Sequence, residues 1–403
     1  MPNKKVLLIS YHYYPSGISG SIRFSYLSKL LEEKNYEVHV LTIKSDYIES
    51  PDDDMLHSKN VHRTKVFPFY NYTPKNVLSR KFKRFLNLYS PIDQYSGWIF
   101  PGTFKAISVI RRYKIKKIVV TGPPFSQFFI GYFASIFTKT ELYVDYQDPW
   151  FLWENYSSFF RKGLRLKKVN LFLEKTILSR AKKIVLNTSV AKDEYVKQFP
   201  EFAKKFSFIT LAYPVIKDLK SIKLEQNKIV ILYAGIFYGE RRLSYLLEAL
   251  SRMRNNNEIK LEEIAIHVFG KILPEDLELI KKLKLEEVVV EHERISYQKV
   301  LEYMKGADIL YLTQGYDHRH CIPYKLIDYL SVGRPVLALT SIDSATDKVM
   351  QEVDCGEVAE MTNQNSVYNS LKKIIKKNDY TFKGIEKYSW DSITDDFVKL
   401  LEE

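Results

Sequence analysis

The sequence predicts an α/β protein built from two Rossmann-like domains, and three observations carry that reading. At 403 residues the chain exceeds what one ordinary hydrophobic core holds, so two domains of roughly 150–200 residues are expected. Short β-branched runs alternate with helical stretches along its whole length, the pattern of parallel strands covered on both faces. The alternation restarts near Lys228, after the polar stretch KDLKSIKLEQNK.

In the first half, KKVLLIS (Lys4–Ser10) reads as a strand, followed by a glycine-containing loop, a helix over Ser21–Glu33 and the strand Glu37–Ile43. KKIVVTG, ELYVDYQ and KKIVLNT repeat the strand pattern downstream. The second half runs KIVILYAG, a helix over Leu243–Arg254, IAIHVFG, EEVVVEH, ADILYLT, a helix after Pro323, and RPVLALT. The final stretch, YSWDSITDDFVKLLEE, is amphipathic, with Ile393, Phe397 and Leu400 on one helical face. The expected domains are therefore 1–215 and 216–380, with 381–403 a terminal helix packing back towards the first domain. Ligands belong at strand C-terminal ends and in the crevice between two such domains.

Composition is that of a globular chain, 45% hydrophobic, 27% charged and 14% aromatic. Two cysteines, Cys321 and Cys355, cannot staple a chain this long, so a reducing, cytoplasmic setting is expected. The N-terminal apolar run is too short for a signal peptide and reads as a buried first strand. The apolar stretch Ile118–Phe137 is interrupted by Gly122, Pro123 and Pro124, which breaks any spanning helix into a strand, a turn and a helix. Charge is uneven: residues 1–215 carry about +17 and residues 216–403 about −4, giving the overall +13. Basic clusters at Arg80–Lys81–Lys83–Arg84, Arg111–Arg112–Lys114–Lys116–Lys117 and Arg161–Lys162–Arg165–Lys167–Lys168 point to an anionic partner. No nucleic-acid-binding motif accompanies them, so a nucleic acid is not expected.

The most informative segment is CIPYKLIDYLSVGRPVLALT (Cys321–Thr340). Pro323 opens a helix whose first-turn N–H groups form an anion site, and Lys325 adds a cation in the same turn. Asp328, one turn on, is placed to accept hydrogen bonds from two vicinal hydroxyls, as on a ribose. Gly333 closes the helix. Phosphate at the helix start and ribose on an acid one turn in is how a nucleotide lies on a Rossmann unit.

This segment resembles the nucleotide-binding signature of GT-B glycosyltransferases, in particular retaining glycosyltransferase family 4, with its P/G-x-K-x-x-E-x-x-x-x-G-x-P-V element. Asp328 takes the place of the second glutamate of that family's E-x7-E motif, and the first falls on His320. YAGIFYGERRLSYLLEAL (Tyr233–Leu250) is similar to the family's opening of the C-terminal lobe. Arg241 stands where a phosphate-binding lysine is expected, Arg242 follows it, and Ile236 replaces an arginine often found after the glycine. Lys271, after HVFG, falls near the same crevice by topology. SYHYYPSGISGSIR resembles the family's glycine-containing loop after the first strand, with Gly17 and Gly20 admitting donor phosphates and Arg23 at the next helix. TGPPFSQFFIGYFAS followed by VDYQDPW is similar to a subgroup of bacterial cell-surface polysaccharide transferases with S/T-x-P-P-x-S and D-x-R-D-P-W, the arginine here being Gln147.

The resemblance implies a GT-B architecture, two Rossmann-like domains facing across a central cleft, the first binding acceptor and the second a nucleotide-sugar. It implies Asp148, Arg241 and Lys325 as catalytic groups. Donor contacts fall to Gly17, Gly20, Arg242, Lys271, His320, Pro323, Tyr324 and Asp328, and acceptor contacts to His12 and Asp145. Asp145 serves equally as a brace for its strand end. The implied reaction moves a sugar from a nucleoside-diphosphate sugar to a glycan or polyprenyl-linked acceptor, with retention and without a metal or other cofactor; the residues alone leave inversion with Asp148 as base open. The basic first half is expected to meet an anionic membrane surface, peripherally and on its cytoplasmic face. A sugar-nucleotide 2-epimerase and a non-catalytic scaffold of the same fold are the rival readings. Asp52–Asp53–Asp54 contains a D-x-D but sits in a polar loop and reads as a solvated turn. His318–Arg319–His320 lacks zinc spacing, and no P-loop, G-x-S-x-G, H-E-x-x-H or G-x-G-x-x-G is present.

Overall fold

The computed structural model describes residues 4–47, 55–67, 77–81, 92–152, 164–213, 218–377 and 379–403. Asp52–Asp53–Asp54, the basic residues Lys83, Arg84, Arg161 and Lys162, and the expected domain boundary at 215 lie outside these residues. The chain divides into two compact units, Met1–Leu211 together with Trp390–Glu403, and Ala212–Ser389.

The first unit is built on a seven-stranded, all-parallel sheet of order β3-β2-β1-β4-β5-β6-β7. Its strands are β1 (Lys4–Ile9), β2 (Tyr36–Ile43), β3 (Val61–Thr64), β4 (Lys117–Gly122), β5 (Glu141–Tyr146), β6 (Lys183–Leu186) and β7 (Phe206–Phe208). The central strands are apolar runs buried on both faces, as Val6–Ile9 and Ile118–Val120 are, which is why they pair in parallel under helices. β3 and β7 escape sequence reading because VHRT is half polar and FSF is only three residues long. The apolar stretch after Lys117 is β4, a turn at Phe125–Gln127 and a helix over Phe128–Thr138. Among the described residues no helix is long and apolar enough to cross a membrane.

The terminal helix, Trp390–Glu402, packs against the Ser19–Glu33 helix of the same unit. Ile393, Phe397, Leu400 and Leu401 are buried beneath it, about 1.5–3 kcal/mol of apolar burial each. Trp390 stacks on Tyr26 at 4.9 Å between ring centroids, and Lys34 pairs with Asp395 at 2.6 Å.

The second unit carries a six-stranded parallel sheet of order β10-β9-β8-β11-β12-β13. The strands are β8 (Ile229–Ala234), β9 (Ile264–Phe269), β10 (Val289–His292), β11 (Ile309–Thr313), β12 (Val336–Thr340) and β13 (Gly356–Glu360). β13, GEVAE, is a polar edge strand with no apolar run to announce it. The helices Ser244–Asn255 and Gln364–Lys376 cover one face with Leu246, Leu250, Val367 and Leu371.

In each unit the strand order reverses once, between β1 and β4 in the first and between β8 and β11 in the second. Loops leaving the C-terminal ends of those neighbours diverge to opposite faces and open a crevice where ligands bind on such sheets.

Candidate functional site

In the second unit the crevice is made by the β8 exit, Gly235–Leu243, and the β11 exit, Gln314–Pro323, which runs into the Tyr324–Val332 helix. Pro323 is the N-cap rather than the first helical residue. Its extended backbone, φ −69° and ψ 138°, turns the chain into the helix, and it offers no side-chain cap. Gly333 adopts φ +65° and ends the helix in the left-handed conformation that glycine enters without strain.

Lys325, in the first turn, reaches back over β8. Its Nζ donates to the Tyr233 hydroxyl at 2.7 Å and lies 4.0 Å from the centre of that ring. The Tyr233 hydroxyl in turn donates to the Ile236 carbonyl at 3.1 Å, and Phe237 stacks on its ring at 4.0 Å. Gly235 makes room for this arrangement: its φ is +141°, and a Cβ there would collide with the Lys325 ammonium. Burial, and then the Arg241 guanidinium, depress the Lys325 pKa to about 7, with Asp328 opposing them.

Asp328 stands one turn further on and accepts from the Tyr297 hydroxyl at 2.6 Å. Burial raises its pKa to about 6, against the Tyr297 hydrogen bond and Lys325, which lower it. Arg241 lies over the Tyr238 ring at 4.5 Å and makes no ion pair among the described residues. The Gln314 side chain ties the β11 exit loop together. Its amide donates to the carbonyls of His318 (2.9 Å) and Cys321 (2.8 Å), and its oxygen accepts from Thr346 at 2.5 Å.

The other residues expected on this side are placed differently. Arg242 turns away from Arg241: it donates to the Gly239 carbonyl at 3.1 Å and pairs with Glu275 at 3.7 Å. Lys271 is exposed at the end of β9. His320 is 1% exposed, and burial pushes its pKa down to about 3, so its ring is neutral and enclosed within the loop. A donor contact from His320 would require that loop to open. Tyr324 is half-buried beside Pro323.

In the first unit the β1 exit holds His12, with its ring edge-on to Tyr11 at 5.0 Å and Tyr95 at 5.7 Å. Burial lowers the His12 pKa to about 4, which keeps it neutral at physiological pH. Gly17 is exposed, and Gly20 falls inside the Ser19–Glu33 helix. Neither is in the left-handed region among the positive-φ glycines, whereas Gly235 and Gly270 of the second unit are. Asp148 is half-buried after β5, with its N–H 3.4 Å from the Gly122 carbonyl.

Asp145, expected either as an acceptor contact or as a brace for its strand end, is enclosed in the first unit. It is fully buried, ion-paired to Arg23 at 3.1 Å, and accepts from Thr121 at 2.9 Å. Arg23 completes the knot by donating to the carbonyls of Thr210 (2.7 Å) and Ile209 (2.9 Å). Gln147, in the place of the arginine of the D-x-R-D-P-W pattern, donates to Thr121 at 2.9 Å and the Gly20 carbonyl at 3.2 Å.

Sequence reasoning missed Tyr233, Gly235, Tyr297 and Gln314. A glycine directly after a buried strand, in YAG and again in HVFG, is the one signal that would have flagged Gly235.

Residues 215–388 match the family model described as glycosyl transferases group 1. The whole chain is similar in fold to sucrose-phosphate synthase from Thermosynechococcus elongatus, with a TM-score of 0.65, 16% identity, and 99% of this chain and 98% of that one covered. It is similar as well to the lipopolysaccharide outer core galactosyltransferase WaaB, with a TM-score of 0.61, 13% identity and 99% of each chain covered. The UDP-GlcNAc 2-epimerase from Methanocaldococcus jannaschii shares the fold at a TM-score of 0.54, 12% identity and 99% of each chain. A search of curated proteins finds no match. Residues 215–388 are thus similar to the group 1 glycosyl transferases, and the chain as a whole has the GT-B fold, two Rossmann-like domains each on a parallel sheet.

Proposed function

We propose that this protein transfers a sugar from a nucleoside-diphosphate sugar, held by the second unit, to a lipid-linked or surface-glycan acceptor held by the first. The observation that carries the reading is the cluster at the β8/β11 reversal. Two cations, Arg241 and Lys325, stand with the start of the Tyr324–Val332 helix, and a carboxylate, Asp328, stands one turn on. A nucleotide would complement each group. Lys325 is depressed towards neutrality by burial and a like charge, and a diphosphate would restore its proton. Asp328 is raised by burial, and ribose hydroxyls would supply donors to its carboxylate.

Diphosphate departure is the demanding step, because negative charge develops on the leaving oxygens as the glycosidic bond breaks. Arg241, Lys325 and the first-turn N–H groups stabilise that charge as preorganised donors do. In this reading they take the role a divalent cation has in metal-dependent transferases. Transfer proceeds with retention, the leaving phosphate oxygen accepting the proton of the acceptor hydroxyl. His12 and Asp148, at the C-terminal ends of β1 and β5, are the acceptor-side groups.

The test is release of nucleoside diphosphate from a panel of nucleotide-sugars, in EDTA, with and without a polyprenyl-diphosphate-linked glycan. Acceptor-dependent release with an elongated glycan, its new linkage anomerically like the donor by NMR, supports the proposal. Release without acceptor, together with an epimerised sugar, identifies an epimerase. Nucleotide binding with no turnover of any pair identifies a scaffold.

A further inference from the structure

The outer surface of the first unit carries an exposed aromatic face that glycosyl transfer does not use. It is formed by three helices, Ile99–Tyr113, Phe128–Thr138 and Leu164–Arg180, which follow one another between consecutive strands from β3 to β6. The first two are in close contact: a Cβ on Gly102 would run into the Ile130 side chain. The second and third are joined by Arg180, which donates to the carbonyls of Ser135 and Thr140, both at 3.0 Å.

Each helix buries one stripe against the sheet and leaves aromatics on the other. Phe100 and Phe104 are one turn apart and 67% and 71% exposed, Phe137 is 62% exposed one turn after Phe133, and Phe172 is 69% exposed. Soluble surfaces seldom leave several phenylalanines this open on adjacent elements unless something covers them.

The charges on these helices are predominantly basic, although Glu201, from a neighbouring turn, pairs with Lys175 at 2.5 Å. Arg111, Arg112, Lys139 and Lys168 are exposed on the same helices or at their ends. The three helices contain a single carboxylate, Glu174, and it is buried, accepting from the Tyr195 hydroxyl at 2.5 Å. Aromatic helices that carry exposed cations and no exposed carboxylate of their own have the composition of an interfacial anchor. The rings enter the acyl boundary and the long basic side chains stay level with lipid phosphates. A second copy of this chain is a poor occupant, because two-fold pairing would set these cations against one another.

We infer that this three-helix face docks the protein on an anionic lipid bilayer, with Phe100, Phe104, Phe137 and Phe172 inserted at the interface. The inference rests on the first unit alone and stands or falls independently of the transfer reaction.

The experiment is flotation of the full-length protein with phosphatidylcholine vesicles and with equimolar phosphatidylcholine and phosphatidylglycerol vesicles, at low and high salt. Wild type is expected to float with the anionic vesicles only, and raised salt should weaken but not abolish the binding. Two variants separate the components. The triple change Phe104→Ser, Phe137→Ser, Phe172→Ser should lower partitioning about tenfold or more even at low salt. The triple change Arg111→Glu, Lys139→Glu, Lys168→Glu should abolish low-salt binding. An unchanged melting temperature and unchanged nucleoside-diphosphate binding in both variants show that folding is intact. Failure to float with anionic vesicles, equal flotation on neutral ones, or flotation indifferent to the phenylalanine changes would overturn the inference. So would a dimer in sedimentation that the phenylalanine changes disperse.

Discussion

The two strand-order reversals occupy the same topological position in the two units and resolve their charges in opposite ways. At the first, Arg23 and Asp145 neutralise each other in the interior, with Thr121 and two backbone carbonyls completing their hydrogen bonds. At the second, Arg241, Lys325 and Asp328 are set near one another with aromatic rings and hydroxyls for company, and no ion pair among them is short enough to form a bridge. A buried charge that is matched holds a fold together. One left unmatched costs stability and is retained where a ligand supplies the match.

That contrast is most easily broken at Arg23. Arg23→Met strands the Asp145 carboxylate in the interior and should cost about 3–5 kcal/mol of unfolding free energy in urea titration. A loss below about 1 kcal/mol would mean the pair is not a structural brace. Lys325→Met should do the reverse, leaving the unliganded protein as stable or more so while weakening nucleoside-diphosphate binding about 30- to 100-fold by calorimetry. A destabilised variant with full affinity would erase the distinction between the two sites. Asp328→Asn should weaken nucleotide binding by about tenfold and leave the apo melting temperature unlowered, since it removes a carboxylate that burial disfavours.

The smallest effect is in pH. Burial brings the Lys325 pKa down to about 7 and the Asp328 pKa up to about 6, so nucleotide affinity should fall on both sides of that interval. Above it the lysine loses its charge, and below it the aspartate loses an acceptor. For the apo protein the sign is set by the folded pKa lying below the unfolded one. Between pH 7 and the ordinary lysine value of 10.5 the unfolded chain holds a proton that the folded chain has shed. Lys325 therefore makes wild-type stability rise with pH across that window relative to Lys325→Met. Parallel stability curves for the two proteins would refute the shift.

Much of this was legible from residues alone, and the exceptions share a cause. The buried parallel strands announce themselves as apolar runs, whereas β3, β7 and β13 are short or polar and depend on a neighbour for their pairing. Pro323, Lys325, Asp328 and Gly333 stand out because a helix start and stop are local in sequence. The partners that set their chemistry are not local: Tyr233 lies 92 residues from Lys325, and Tyr297 lies 31 from Asp328. Arg23 and Asp145 are 122 apart, which is why a residue at a strand end could be read as acceptor contact or brace from the sequence. His320 stands in register with an acidic position of the motif, yet the fold of its loop encloses it.

If Lys325 and Arg241 of the second unit are held for a nucleoside diphosphate, ligand binding and the Lys325 side chain must be coupled. The most direct test is the melting temperature of wild type and Lys325→Met in EDTA, alone and with UDP, GDP, CDP, ADP or dTDP. A ligand at 100 times its dissociation constant adds about 2.7 kcal/mol, a shift easily read. At least one diphosphate should raise the wild-type melting temperature and none that of Lys325→Met, which on its own should be no less stable. Equal shifts in the two proteins, or none in wild type with any diphosphate, would contradict it.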